Sequence, residues 1–275
     1  MSTSIVPSER AADRGALAAP LDDGPRQREA RAGRRRSATR IALGGALPIL
    51  LIALWYAATA FDWVPAHKLP SPDAERGLLG MHITISVQRV LLGFAIGAAA
   101  GLVIGAIVGL SRFADGVLAP TVGAVRAVPS LAWVPLLILY LGFGEDSKVT
   151  LVAIGALFPV YTTVAGALRH VDPHLVEMGR AYGYTRSRLL LTVQLPAVIP
   201  AIISGLRLAL AQAWLFLVAA ELVGSTMGLG FLLIESQGNL RYDRLFLAIL
   251  ALGVIGKTTD ALIGIGERAL LKRWG

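Results

Sequence analysis

The chain has 275 residues, 55% hydrophobic and only 16% charged, with a mean hydropathy of +0.64. That balance excludes an ordinary soluble domain and indicates a polytopic membrane protein. The net charge of +8 and pI near 10.3 do not indicate nucleic acid, because no basic face with interleaved aromatics exists, and the absence of cysteine excludes disulfides and thiolate metal sites.

Residues 1–40 are rich in Arg, Ala, Ser, Asp and Gly and contain no apolar core of a secretory signal. They read as a disordered, basic cytoplasmic tail, with RAGRRR at 31–36 holding the start of the first span at the inner surface. A hydrocarbon core about 30 Å thick needs roughly 20 apolar residues per helix. Windows of that kind fall at 41–61, 88–110, 117–142, 149–168, 197–221 and 244–265, predicting an all-α integral membrane protein with six transmembrane helices.

With six spans both termini share a side. Placing them in the cytoplasm puts 17 Lys/Arg there and five in the opposite loops, Lys68, Arg76, Lys148, Arg241 and Arg244. This asymmetry obeys the positive-inside rule, so the basic charge is chiefly an orientation signal. Arg89, Arg126, Arg207 and Lys257 fall within or at the ends of spans and stand outside that count.

In the second span Gly93, Gly97, Gly101, Gly105 and Gly109 recur every fourth residue, a face on which another backbone approaches closely. The sequence leaves open whether the partner lies within the subunit or in a second copy. In the third span Arg126 lies near mid-membrane and precedes AVPSLAWVP, where Pro129 and Pro135 are expected to break the helix and free backbone groups toward a pathway. Ser130 and Trp133 in that stretch are candidates to line it.

Between the fourth and fifth spans the chain turns polar, over a segment spanning 172–196. Asp172 and Pro173 form an N-cap and first-turn pair, LVEMGRAY supplies about two helical turns, and Gly183 is a left-handed stop. A second short helix is expected at roughly 186–193, before Leu195 and Pro196 enter the fifth span. Two short helices at an angle make a knob with apolar surface from Leu175, Val176, Met178 and Tyr182 and rim charges from Glu177, Arg180, Arg186 and Arg188. The bland reading is an interfacial loop on lipid headgroups.

The fifth span brings Arg207 near mid-membrane, with Gln212, Trp214 and Glu221 as further pathway candidates. For Arg126 and Arg207, contact with a transported anion and structural pairing with Glu221, Asp260 or backbone carbonyls stand level. In the sixth span ALGVIGKT at 251–258 imitates a phosphate loop, but a working one needs a strand before it and a soluble helix after it. Lys257 and Asp260, three apart, are expected to pair with each other. His170 and His174 are read as solvated loop residues, since Pro173 and the cap lie between them. No catalytic residue, cofactor-binding residue or metal site is expected in this chain.

One segment carries a resemblance. Glu177 is followed six residues later by Gly183, and Val193, Leu195 and Pro196 close the pattern. This spacing resembles the coupling loop of binding-protein-dependent ABC import permeases, with Met178 and Gly179 where that pattern has two alanines. The stretches RVLLGFAIG, LSRFADGVLAP, RAVPSLAWVPLLILYLGFGEDSK, GLRLALAQAWLFLVAAELVGSTMGLGFLL and LGVIGKTTDALIGIGERALLKRW resemble the permease subunits of aliphatic sulfonate importers, in a group with taurine and nitrate permeases. The likeness covers about residues 41–275. It implies a type I ABC importer permease-like (MetI-like) fold whose cytoplasmic coupling helix docks on an ATPase. It further implies a homodimer in the inner membrane, two cytoplasmic ATPase subunits carrying ATP and Mg, and an external substrate-binding protein. An ion-gradient-driven carrier is the rival class, marked by an ion-coordinating acidic residue deep in a span and by internal inverted repeats; Glu221 and Asp260 fall near span ends and the sequence shows no convincing repeat, while a purely structural scaffold would need neither the arginines nor the knob.

Overall fold

The computed structural model describes residues 76–274 together with Ala53, Ala57 and Phe61. The predicted tail at 1–40 and, apart from those three positions, the predicted first span at 41–61 lie outside the described residues. The chain divides into two units, Met1–Trp55 and Tyr56–Gly275, and all the helices named below belong to the second.

The regular elements among the described residues are all helical: α1 (Arg76–Leu110), α2 (Arg112–Ala127), α3 (Trp133–Leu141), α4 (Glu145–Arg169), α5 (Pro173–Ala181), α6 (Arg186–Leu189), α7 (Leu195–Gly224), α8 (Leu229–Gly238) and α9 (Tyr242–Trp274). Four helical stretches are long and apolar enough to cross a membrane: Gly77–Leu110, Glu145–Arg169, Arg186–Gly224 and Tyr242–Gly266. They correspond to the predicted second, fourth, fifth and sixth spans.

The predicted third span at 117–142 is not one helix. Val128, forced out of the helical region by the ring of Pro129, is extended at φ −70° and ψ 125°, and a 3-10 turn at Ser130–Ala132 leads into α3. Pro135 does not break anything. It sits in the first turn of α3, where a missing amide costs the helix no bond. Gly142, at φ 74°, ends α3 in a conformation that a side chain disfavours.

The glycine face of α1 packs within the subunit, against α4, with the two helices parallel. A Cβ on Gly93 would sit 2.6 Å from the Val152 Cβ, on Gly101 2.7 Å from the Leu157 carbonyl, and on Gly109 2.8 Å from the Leu168 Cβ. Gly97 and Gly105 face Ala153 and Val164 in the same register. Only hydrogen fits at these positions, so the backbones close to a distance at which dispersion replaces the hydrophobic effect as the force between helices in lipid. Val90, Val152, Ala156, Val160, Ala209, Ala213 and Leu217 complete the buried seam of α1, α4 and α7.

The second short helix expected at 186–193 is not separate. Residues 186–189 are α-helical, 190–194 form a π turn, and α7 follows without a break. The Leu195 amide reaches back five residues to the Leu190 carbonyl. The widened turn gives room where Pro196, lacking an amide hydrogen and carrying a bulky ring, cannot follow the ordinary ladder.

Candidate functional site

Three of the predicted pathway residues converge. Arg126 from the last turn of α2, Trp133 from the start of α3 and Gln212 from α7 line one cavity of about 420 Å³. That lies within the roughly 300–1,000 Å³ of small-molecule sites. Its remaining walls are mostly apolar, from Pro129, Phe158, Leu208 and Phe216, with Thr162 as a further hydroxyl. Arg126 is exposed, is the only charged side chain in the lining, and makes no ion pair or side-chain hydrogen bond among the described residues. A guanidinium in an apolar region is costly unless it faces water or a counter-ion, and the cavity supplies the first.

The other wall is shaped by two local features of α4. Gly155 lets the ring of Phe216 lie flat on the helix, since a Cβ there would be 2.7 Å from the ring. Pro159 has no amide hydrogen to return to the Gly155 carbonyl, and Thr162 turns its hydroxyl to the carbonyls of Phe158 at 2.9 Å and Pro159 at 3.1 Å. These residues were not singled out from the sequence. The available signal was spacing, with 155, 158, 159 and 162 on one face of α4 and 208, 212 and 216 on one face of α7.

The remaining pathway candidates lie elsewhere. Arg207 makes a bidentate pair with Asp260 of α9, Nε to Oδ1 at 2.9 Å and Nη2 to Oδ2 at 3.0 Å. Lys257 reaches the same carboxylate only at 3.8 Å, so the pairing expected between Lys257 and Asp260 is the weaker arm of a three-charge cluster. Trp214 is buried and its indole Nε1 donates to Thr259 Oγ1 at 3.1 Å, which ties α7 to α9. Ser130 is described through its backbone, in the 3-10 turn beside Pro129.

Glu221 is fully buried in a polar network that sequence reasoning did not assemble. Arg89 holds Glu145 through two bonds of 2.5 and 2.6 Å and holds Glu221 through Nη1 at 2.8 Å. Nη1 also donates to the Met227 carbonyl at 2.7 Å. Ser86 Oγ donates to Glu221. Three successive amides leading into α8 are then taken by side chains: Gly228 by His82 Nδ1 at 2.9 Å, Leu229 by Ser86 Oγ at 2.8 Å, and Gly230 by Glu221 at 2.8 Å. These would otherwise be orphan donors at a helix start, and a buried carboxylate there is favoured by the helix dipole. His82, Ser86 and Arg89 share one face of α1 at spacings of four and three, the signal that was present in the sequence.

Segment 172–196 adopts the expected first helix. Asp172 accepts from the His174 amide at 2.9 Å, Pro173 opens α5, and Gly183 takes φ 75°. The Gly183 and Tyr184 amides return to the Arg180 and Gly179 carbonyls at 2.9 and 3.1 Å, closing the helix end. Leu175, Met178 and Tyr182 are exposed, as are Glu177 and Arg180. Gly179 is buried where a Cβ would lie 2.5 Å from the Leu189 side chain, so glycine brings α5 against α6. Leu195 instead packs toward the core, and Pro196 is half-buried beside it. The phosphate-loop imitation at 251–258 is wound into α9, where its amides serve the helix and cannot cradle phosphate. His170 Nδ1 bonds the Gly166 carbonyl at 2.8 Å.

Apolar helices tied by ion pairs, one of them buried, a cation facing a cavity and a polar helical knob at the far end of α4 are the features of a membrane solute permease. Glu221 and Asp260, the acidic residues weighed for an ion-driven carrier, are both engaged by arginines. Residues 97–272 match the family described as "Binding-protein-dependent transport system inner membrane component", and the chain belongs to that family. It is 39% identical to the Bacillus subtilis (strain 168) protein named "Putative aliphatic sulfonates transport permease protein SsuC", over 82% of this chain and 85% of that one. The Escherichia coli (strain K12) protein of the same name is 38% identical over 83% of this chain and 90% of its own. Among solved structures, an inward-facing form of the MetNI methionine ABC transporter superposes with a TM-score of 0.60 at 20% identity, covering 74% of this chain and 99% of that one, a likeness of fold.

Proposed function

We propose that this chain is the permease subunit of an ATP-driven importer of small organic anions, aliphatic sulfonates foremost. The observation that carries the solute reading is Arg126, an unpaired guanidinium on an otherwise uncharged, largely apolar cavity. A sulfonate presents three acceptor oxygens to a guanidinium and an apolar tail to walls such as Trp133, Phe158 and Phe216. Identity near 39% to a protein named for aliphatic sulfonates supports the same class, with taurine and nitrate as chemically related alternatives. Gln212 is the polar neighbour of Arg126 in the same lining, and Ser130, in the turn after Pro129, is a further candidate of the path. Arg207, Trp214 and Glu221 serve as framework.

In this reading six spans form the subunit, the third crossing as α2 and α3 joined by the 128–132 break. Both termini face the cytoplasm, and two copies pair in the inner membrane. Residues 41–275 form the permease domain, and 172–196 is the coupling segment. Leu175, Met178 and Tyr182 insert into an ATPase groove while Glu177 and Arg180 contact its rim. Gly183 sets the end of the docking helix; Leu195 and Pro196 anchor the segment to α7. ATP and Mg act in that separate subunit, and a substrate-binding protein delivers the solute from outside.

The test is uptake per assembled complex in reconstituted vesicles for Arg126→Gln. A hydrogen bond to a charged group contributes about 1.5–3 kcal/mol, so sulfonate uptake is expected to fall about tenfold or more while complex yield holds. Unchanged uptake per complex would remove Arg126 from the anion path.

A further inference from the structure

One ion pair ties the helix that carries Arg126 to the base of the coupling segment. Arg169 closes α4, three residues before Asp172 caps α5, and its guanidinium holds the carboxylate of Asp115 in the first turn of α2. The rest of α2 is lightly held. None of its 16 residues is buried, and half-buried Leu118, Ala119 and Val122 rest on Val108, Tyr161 and Ala165. Single extended residues, Ser111 at φ −124° and Val128 at φ −70°, flank it, so it is a rod with an elbow at each end. Its far end carries Arg126, 11 residues and about 16 Å from Asp115.

Smooth apolar contacts of this kind permit sliding, whereas a charged pair fixes the register of one helix against another. We propose that Asp115 and Arg169 are a positioning pair that passes displacement of the coupling segment along α2 to Arg126, so that the cation of the cavity moves with the ATPase. This rests on the proposed roles of 172–196 and of Arg126. Neither residue lines the cavity. The helix dipoles favour Asp115 in the first turn of α2 and Arg169 in the last turn of α4 separately, but they do not require the two side chains to meet, as these do.

The experiment uses the complete complex in vesicles, with its ATPase and binding protein. The chain has no cysteine, and a Cβ at Gly123 on α2 meets nothing within 4 Å, so Gly123→Cys accepts an environment-sensitive fluorophore. With the pair intact, ATP is expected to change the label's emission. Asp115→Asn and Arg169→Gln should each lose most of that response and lower sulfonate moved per ATP about two- to fivefold, the range an exposed ion pair controls. The exchange Asp115→Arg with Arg169→Asp remakes the pair against both helix dipoles, so it should recover part of both readouts, whereas a dipole role alone would lose more than either single variant. A label that ignores ATP, a response unaltered in both single variants, or no recovery in the exchange overturns the link. A lost response with unchanged sulfonate per ATP would uphold the link and refute Arg126 as the cation it delivers.

Discussion

Removing Arg89 tests the buried network most sharply. Its guanidinium serves carboxylates on two helices, but those carboxylates differ in exposure: the Glu221 side chain is 0% exposed and that of Glu145 is 62% exposed. In Arg89→Ala, Glu145 turns to water or to Lys148, 3.5 Å away, while Glu221 keeps only Ser86 and the Gly230 amide. Stranding one partner of a buried pair costs about 3–5 kcal/mol. Glu145→Gln, which leaves Arg89 still bound to Glu221 and Met227, should cost about 1 kcal/mol or less, as an exposed partner does. Glu221→Gln should fall between, because it removes the charge but keeps the side chain's shape and its acceptor for Gly230. The assay is equilibrium unfolding of the purified subunit in mixed micelles, read by tryptophan fluorescence. Equal losses in Arg89→Ala and Glu145→Gln would refute the asymmetry, and a loss below about 1 kcal/mol in Arg89→Ala would refute the burial argument itself.

Gly97→Val should push α1 off the Ala153 carbonyl and lower subunit stability by about 1–3 kcal/mol, the cost of overpacking a core, whereas Gly123→Ala, with open space around it, should be near neutral in the same unfolding assay. Gly183→Val forces a β-branched residue to φ 75°, an expected strain of about 1–2 kcal/mol localised to α5; together with Glu177→Lys it should reduce copurification of the ATPase while membrane insertion, followed by protease protection, stays intact. Arg207→Gln should lower complex yield more than uptake per complex, and Asp260→Asn should do the same, since the two form one bidentate pair; a selective uptake defect in Arg207→Gln would return that arginine to the solute path.

What the sequence determined by itself was whatever depends on a few neighbouring residues. Hydropathy over about 20 residues located four long helices, because burying backbone polar groups in lipid leaves helix as the available solution for such a stretch. The Asp172 cap, the Pro173 first turn and the Gly183 stop were readable because each rests on bonds no more than five residues apart. The glycine spacing foretold a close helix contact, but only the tertiary structure chose α4 as its partner, since a groove does not encode what fills it. Charges show the same division. Four intramembrane cations faced several carboxylates, and local chemistry does not say which meets which across 53 residues, as for Arg207 and Asp260, or 132, as for Arg89 and Glu221. The packing of α1, α4, α7 and α9 made that choice, pairing Arg89 and Arg207 and leaving Arg126 to the cavity, because a charge in an apolar surround is stabilised only by the groups that the fold brings within a few ångströms.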